Sequence, residues 1–209
     1  MTHTLHRQGT YEELKEDFVV LVMSAKGFND VGAAPKLKEA LKIIAKYEPV
    51  NMGDMTQGSM YRAGFRMKSL ERLLQGGHDR SIYHGVYTDL ETVKKVIDEL
   101  KAADLGMSVV ISGLYDEVRK IAKPHTVNLA LGIWGKTELL PKHEEVLKIC
   151  TMCGHQFVSK NLVMKLAQDV KRGRITAEEA AEVMAACCSC GIFNPVRAVK
   201  LIKQLVQKL

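Results

Sequence analysis

No stretch of this 209-residue chain stays apolar for the ~20 residues that a membrane span requires. Its first residues, "MTHTLHRQGTYEELKEDF", hold no apolar core of the kind a secretory signal carries. No internal repeat or low-complexity segment is present. There is no G-x-S-x-G, no H-E-x-x-H and no carboxylate pair with a recognisable spacing. These absences leave a cytoplasmic protein without a membrane partner as the expectation, and they name no substrate. Charge is also unhelpful. Thirty basic residues against 24 acidic ones give a net charge of +6, which raises the prospect of an anionic partner. The basic residues alternate with acidic ones along helices, however. Only "KRGR", 171 to 174, forms a run, so nucleic acid is not the favoured partner.

Five cysteines are present, and all of them lie in two short stretches, "CTMCGH" at 150 to 155 and "ACCSCG" at 186 to 191. A chain of this size, 46% hydrophobic, can bury an ordinary core and has no need of disulfide staples. In a reducing compartment, paired cysteines point to metal or redox chemistry. Cys150 and Cys153 form one C-x-x-C and Cys187 and Cys190 a second, with 33 residues between them and Cys188 as an extra. Each pair can place two sulfurs on one ion, and the two together close a tetrahedron of soft ligands that suits zinc or an iron–sulfur centre. Free cysteines filling a core would be scattered at helical spacing, whereas these gather where helices end at Gly154 and Gly191. A thioredoxin-like dithiol would lie at a helix N-terminus, and Cys150 lies near a helix C-terminus.

Cys150, Cys153 and Cys190 therefore belong to any ligand set. The fourth ligand is Cys187 by the C-x-x-C rule, Cys188 by a C-x-C reading, or His155. Cys187 and Cys188 point about 100° apart on a helix, so one of them faces the ion. Helix-borne cysteines near a proline lean toward iron–sulfur, with a four-iron, four-sulfur (4Fe–4S) cluster preferred and zinc the alternative.

Residues 1 to 142 alternate strand and helix patterns. "DFVVLVMS", "PVNMGDM", "SIYHGVYT", "MSVVISG" and "TVNLALGIWG" read as strands, "APKLKEALKIIAKYE" as a helix and "DLETVKKVIDELKAADLG" as the clearest helix. The expected fold is α/β, with a parallel or mostly parallel five-stranded, flavodoxin-like sheet flanked by helices. An antiparallel ferredoxin-like βαβ arrangement is the alternative. Residues 143 to 209 read as helices only, an all-helical unit bearing the cysteines and packed on the first domain. Thr176 and Glu179 have the spacing of a capping box, and Asn194-Pro195 that of a helix start.

In a parallel sheet, the loop "AKGFNDVGAAP" after the first strand would face a ligand at a helix N-terminus. It carries neither phosphate-loop signature. Lys26, Asn29 and Asp30 are its candidate contacts to a small anionic ligand, with Trp134, the single tryptophan, at the same edge. The "HTLHR" arm, 3 to 7, is a further metal or anion candidate. His84 and His125 read as core or edge histidines. The functional expectation is a metal-binding protein whose four-cysteine cluster, at the edge of an α/β ligand-binding domain, serves a redox or accessory role with a redox protein partner. The alternative is a zinc-stapled binding module for nucleic acid or a protein.

Overall fold

β1, Phe18–Met23, has no polar side, because Val19, Val20, Leu21 and Val22 are each at most 1% exposed. Successive side chains of a strand point to opposite faces, so both faces of this one must be covered. They are, by two separate helical layers. The computed structural model describes residues 7–62, 68–122 and 135–209. Among these the strands are β1, β2 (Asn51–Asp54), β3 (Gly58–Ser59), β4 (Ile82–Tyr87) and β5 (Ser108–Ser112). Helices α1 (Tyr11–Leu14), α2 (Ala34–Lys46), α3 (Ser69–Gln75), α4 (Leu90–Ala102) and α5 (Tyr115–Val118) accompany them. The chain then continues through α6 (Glu144–Cys150), α7 (Lys160–Lys171), α8 (Ala177–Cys187) and α9 (Pro195–Lys208).

The sheet order is β3-β2-β4-β1-β5, and every neighbouring pair is antiparallel. This overturns the expected parallel, flavodoxin-like sheet and matches the alternative arrangement, a split β-α-β-β-α-β of ferredoxin-like order with β3 added outside β2. The physical reason is local. β1 and β2 do run the same way, as a helical crossover requires, since each is antiparallel to β4. β4 lies between them rather than beyond them. The same holds for β4 and β5, which flank β1. Crossovers fix strand direction but leave open which strand fills the gap. The expected strand at "TVNLALGIWG" and His125 fall at 123–134 or run into it, and lie outside the described residues, as do His3 and His6.

On one face Phe18, Val20 and Val22 pack with Leu37, Leu41 and Ile44 of α2 and with Val93, Val96 and Ile97 of α4. On the other face Val19, Leu21 and Val86 join Val146 and Ile149 of α6, Val163 and Leu166 of α7, Met184 of α8 and Leu201, Ile202 and Leu205 of α9. The helical segment thus covers the second face of the sheet. Each fully buried aliphatic side chain in these layers contributes about 1.5–3 kcal/mol over its exposed state. Helix ends are fixed as their sequences suggest. Asp89 caps α4 at Thr92, Thr176 and Glu179 form a reciprocal capping box on α8, and Asn194 caps α9 with Pro195 in its first turn. No helix among the described residues is long and apolar enough to cross a membrane.

Candidate metal centre

Cys150 is the last residue of α6. Beyond it the chain turns tightly: the Cys153 amide donates to the Cys150 carbonyl at 3.3 Å, and the Gln156 amide to the Cys153 carbonyl at 2.9 Å. This turn aims the Cys153 sulfur inward, where the amides of Phe157 and His155 donate to it. The second loop starts where α8 ends. Cys188, the C-cap, is extended at φ −78° and ψ 101°, and the Gly191 amide returns to its carbonyl at 3.4 Å. Gly191 has φ +79°, which presents the following amide, that of Ile192, to the sulfurs of both Cys188 and Cys190.

The two loops meet, and the second rests on β2. Cys153, Cys188 and Cys190 are wholly buried and Cys150 half-buried. The Cys153 thiol hydrogen-bonds to Cys188, and the Cys188 and Cys190 sulfurs lie 3.9 Å apart. The Cys190 sulfur is also 3.8 Å from Nδ1 of His155, an exposed ring stacked on Phe157 with centroids 5.6 Å apart. Cys187 does not join them. Its thiol donates back along its own helix to the Val183 carbonyl at 3.4 Å. All five cysteines are free thiols. Among the described residues no group of three or more His, Cys, Asp or Glu side chains is arranged so that it could hold a metal ion.

Crowding sets the protonation of these thiols. Burial pushes Cys150 up to about 11, and the neighbouring Cys153 sulfur adds to this. Cys153 is driven far up by its hydrogen bond to Cys188, and then by burial. Its bond with Cys153 draws Cys188 down, but the bond to Cys190 and burial outweigh it and carry Cys188 to about 11. Cys190 alone of the four moves below the usual thiol range, because Cys188 donates to it and the Ile192 amide assists. Burial also raises Cys187. Such a set binds a cation only by releasing protons, and the amide donors to sulfur are those that stabilise the thiolates once formed.

A buried ionic cluster borders both loops, and sequence reasoning missed it. Asp17, immediately before β1, has a fully buried side chain that pairs with Arg7 and, at 2.9 Å, with Arg197 in the first turn of α9. Asn194 adds a donor to Asp17 at 3.2 Å. Arg7 also donates to the Ile192 carbonyl and, at 3.4 Å, to that of Met152. The signal was available: a carboxylate that adjoins a strand buried on both sides must have a cationic partner. Of the "HTLHR" arm, Arg7 is thus an interior ion-pair residue.

The loop after β1 serves its own geometry. Asn29 accepts from the Ala25 amide and donates to the Gly106 carbonyl, both at 2.6 Å, and Asp30 accepts from the Gly27 amide at 2.8 Å. Lys26 is exposed. The amides of Gly32 and Ala34, at the start of α2 where an anionic ligand was expected, are taken by the carboxylate of Asp79 at 3.0 and 2.7 Å. Those amides hold Asp79 below the usual aspartate range, Ala34 foremost. This helix start and the cysteine loops pack on opposite faces of the sheet, so they do not form one edge site. Trp134 lies outside the described residues. His84 is fully buried on β4, on the face that the cysteine loops cover, opposite Gly53 and Leu21.

Fold and site together define an antiparallel α/β protein with a buried thiol cluster under a helical layer. Comparison with known proteins leaves that cluster to its own chemistry: no family model matches the chain, and no curated protein or solved structure does.

Proposed function

We propose that the protein binds one metal ion through Cys150, Cys153, Cys188 and Cys190, with zinc the best fit, and that the ion clips the loop after α6 to the loop after α8. The carrying observation is the 3.9 Å separation of the Cys188 and Cys190 sulfurs. Metal–sulfur bonds of about 2.3 Å at tetrahedral angles put two sulfurs about 3.8 Å apart. A 4Fe–4S cube holds each cysteine on a different iron and spreads the sulfurs well beyond that edge, which favours a single ion over the cluster. The burial of three sulfurs supports a closed, structural coordination over a catalytic one with an open position. His155, 3.8 Å from Cys190, stands where it can replace Cys150 as fourth ligand or order the outer side of the site. In this reading the protein is a metal-stapled accessory or binding module.

Metal analysis of anaerobically purified protein tests it. About one zinc per chain and no visible absorbance is the expected result. Bound iron with broad absorbance near ~400 nm would establish the cluster reading instead. Absence of both metals, with five titratable thiols, would defeat both.

A further inference from the structure

Arg7 supplies no sulfur or imidazole, yet it touches both cysteine loops at once. It donates to the carbonyl of Met152, the residue before Cys153, and to the carbonyl of Ile192, two residues after Cys190. Its remaining amino group pairs with Asp17, which is itself held from α9 by Arg197 and Asn194. The Arg7 side chain is only 7% exposed, so water does not compete for these bonds. A guanidinium presents its donors in a rigid plane and can serve a carboxylate and two carbonyls in different directions, whereas an ammonium is a point charge on a pliable stem.

The two carbonyls are well placed to matter. The Met152 peptide precedes Cys153 and bears on the direction of its Cα–Cβ bond. The Ile192 carbonyl belongs to the residue whose amide donates to the sulfurs of Cys188 and Cys190. Resting on the metal reading above, we infer that Arg7 is a positioning residue of the cysteine site. It holds the two ligand loops in register and slows release of the ion. The segment before β1 is thereby part of the site although it contributes no ligand. Groups hydrogen-bonded directly to metal ligands typically alter affinity by about 10–100-fold when changed, and Arg7, which bonds to the peptides beside the ligands, belongs at the lower end of that range.

The test uses the full chain loaded with zinc, with release to a chromophoric chelator followed in wild type, Arg7→Lys and Arg197→Lys. Arg197 bonds to Asp17 and to the Gln8 carbonyl but to neither loop carbonyl, so it reports general loosening. Arg7→Lys should release zinc at least about tenfold faster, while Arg197→Lys should lower the urea midpoint and leave release close to wild type. In metal-free, reduced protein, thiol titration with an aromatic disulfide should likewise run faster in Arg7→Lys. Equal rates for wild type and Arg7→Lys in both assays overturn the inference. So does an Arg197→Lys variant that matches Arg7→Lys, or an Arg7→Lys chain that circular dichroism shows to be unfolded. A wild type that takes up no zinc defeats the metal reading, and the thiol rates alone then decide the role of Arg7.

Discussion

Gly191 rests directly on the backbone of Gly53. A Cβ on Gly191 would lie 2.8 Å from the Gly53 nitrogen and equally close to the carbonyl of Met52, and a Cβ on Gly53 would lie 2.8 Å from the Cys190 carbonyl oxygen. Neither neighbour is a side-chain end that could swing away. The second cysteine loop is therefore seated on β2 by two facing glycines. Gly191→Ala adds left-handed strain to the clash, and should cost about 2–5 kcal/mol by urea denaturation. A loss below about 0.5 kcal/mol would mean that the loop does not sit on the strand.

Serine substitution separates the cysteines. Under the proposed zinc site, Cys153→Ser, Cys188→Ser and Cys190→Ser should each abolish stoichiometric metal binding. Cys187→Ser should retain it, because that thiol turns toward Val183. At such a half-exposed position the stability change should stay within about 0.5 kcal/mol. Metal content and urea midpoints of the four variants provide the check. Loss of metal in Cys187→Ser with retention in Cys188→Ser would reverse the assignment.

Asp17→Ala removes the carboxylate shared by two buried guanidinium groups. Breaking a buried ion pair on one side typically costs about 3–5 kcal/mol, because the remaining charge is left uncompensated. The Arg197→Ala partner substitution should cost a similar amount, and the double variant less than the sum of the two. Strict additivity in the cycle would deny that the groups interact.

Asp79 gives the α2 start a pH dependence. Its carboxyl is held below the ordinary 3.8, first by the Ala34 amide and then by that of Gly32. A carboxyl depressed by folding stabilises fully above its unfolded pKa and loses that contribution as pH falls through the folded value. The urea midpoint of wild type should therefore exceed that of Asp79→Asn by a constant, modest margin above about pH 4, and the margin should close below it. A margin that widens on acidification would contradict the assignment.

The legible parts of the molecule were those specified by short-range pattern. Asp89, Thr176 with Glu179, and Asn194 with Pro195 cap the helices that their sequences suggest. Four of the five expected strand stretches carry β1, β2, β4 and β5, while the two-residue β3 is too short to leave a pattern. Sheet order was not legible. The continuous apolar run at β1 is the mark of a strand buried on both faces, which parallel sheets commonly show. Here the second cover comes from helices more than a hundred residues later in the chain, and nothing near β1 announces them. The same distance hid the pairing of Asp17 with Arg197. The α2 start was illegible for a related reason, since the carboxylate of Asp79 that takes its amides arrives from the loop before β4. For the cysteines, spacing narrowed the candidates, and the extended backbone at Cys188 is what turns it, and not Cys187, toward Cys190.

Val20 and Leu21 are joined by one peptide bond, yet their side chains belong to different hydrophobic clusters. β1 is a wall common to two rooms. A void opened at Leu21 is lined by α6 to α9 and cannot be filled by relaxation of α2 or α4, and a void at Val20 is equally sealed from the cysteine-bearing side. The clusters communicate through the hydrogen-bonded backbone of the sheet, so what passes from one to the other is strand position rather than side-chain packing. Small rearrangements around the cysteine loops would then reach α2 and α4 only if they shift β1 or β2 bodily.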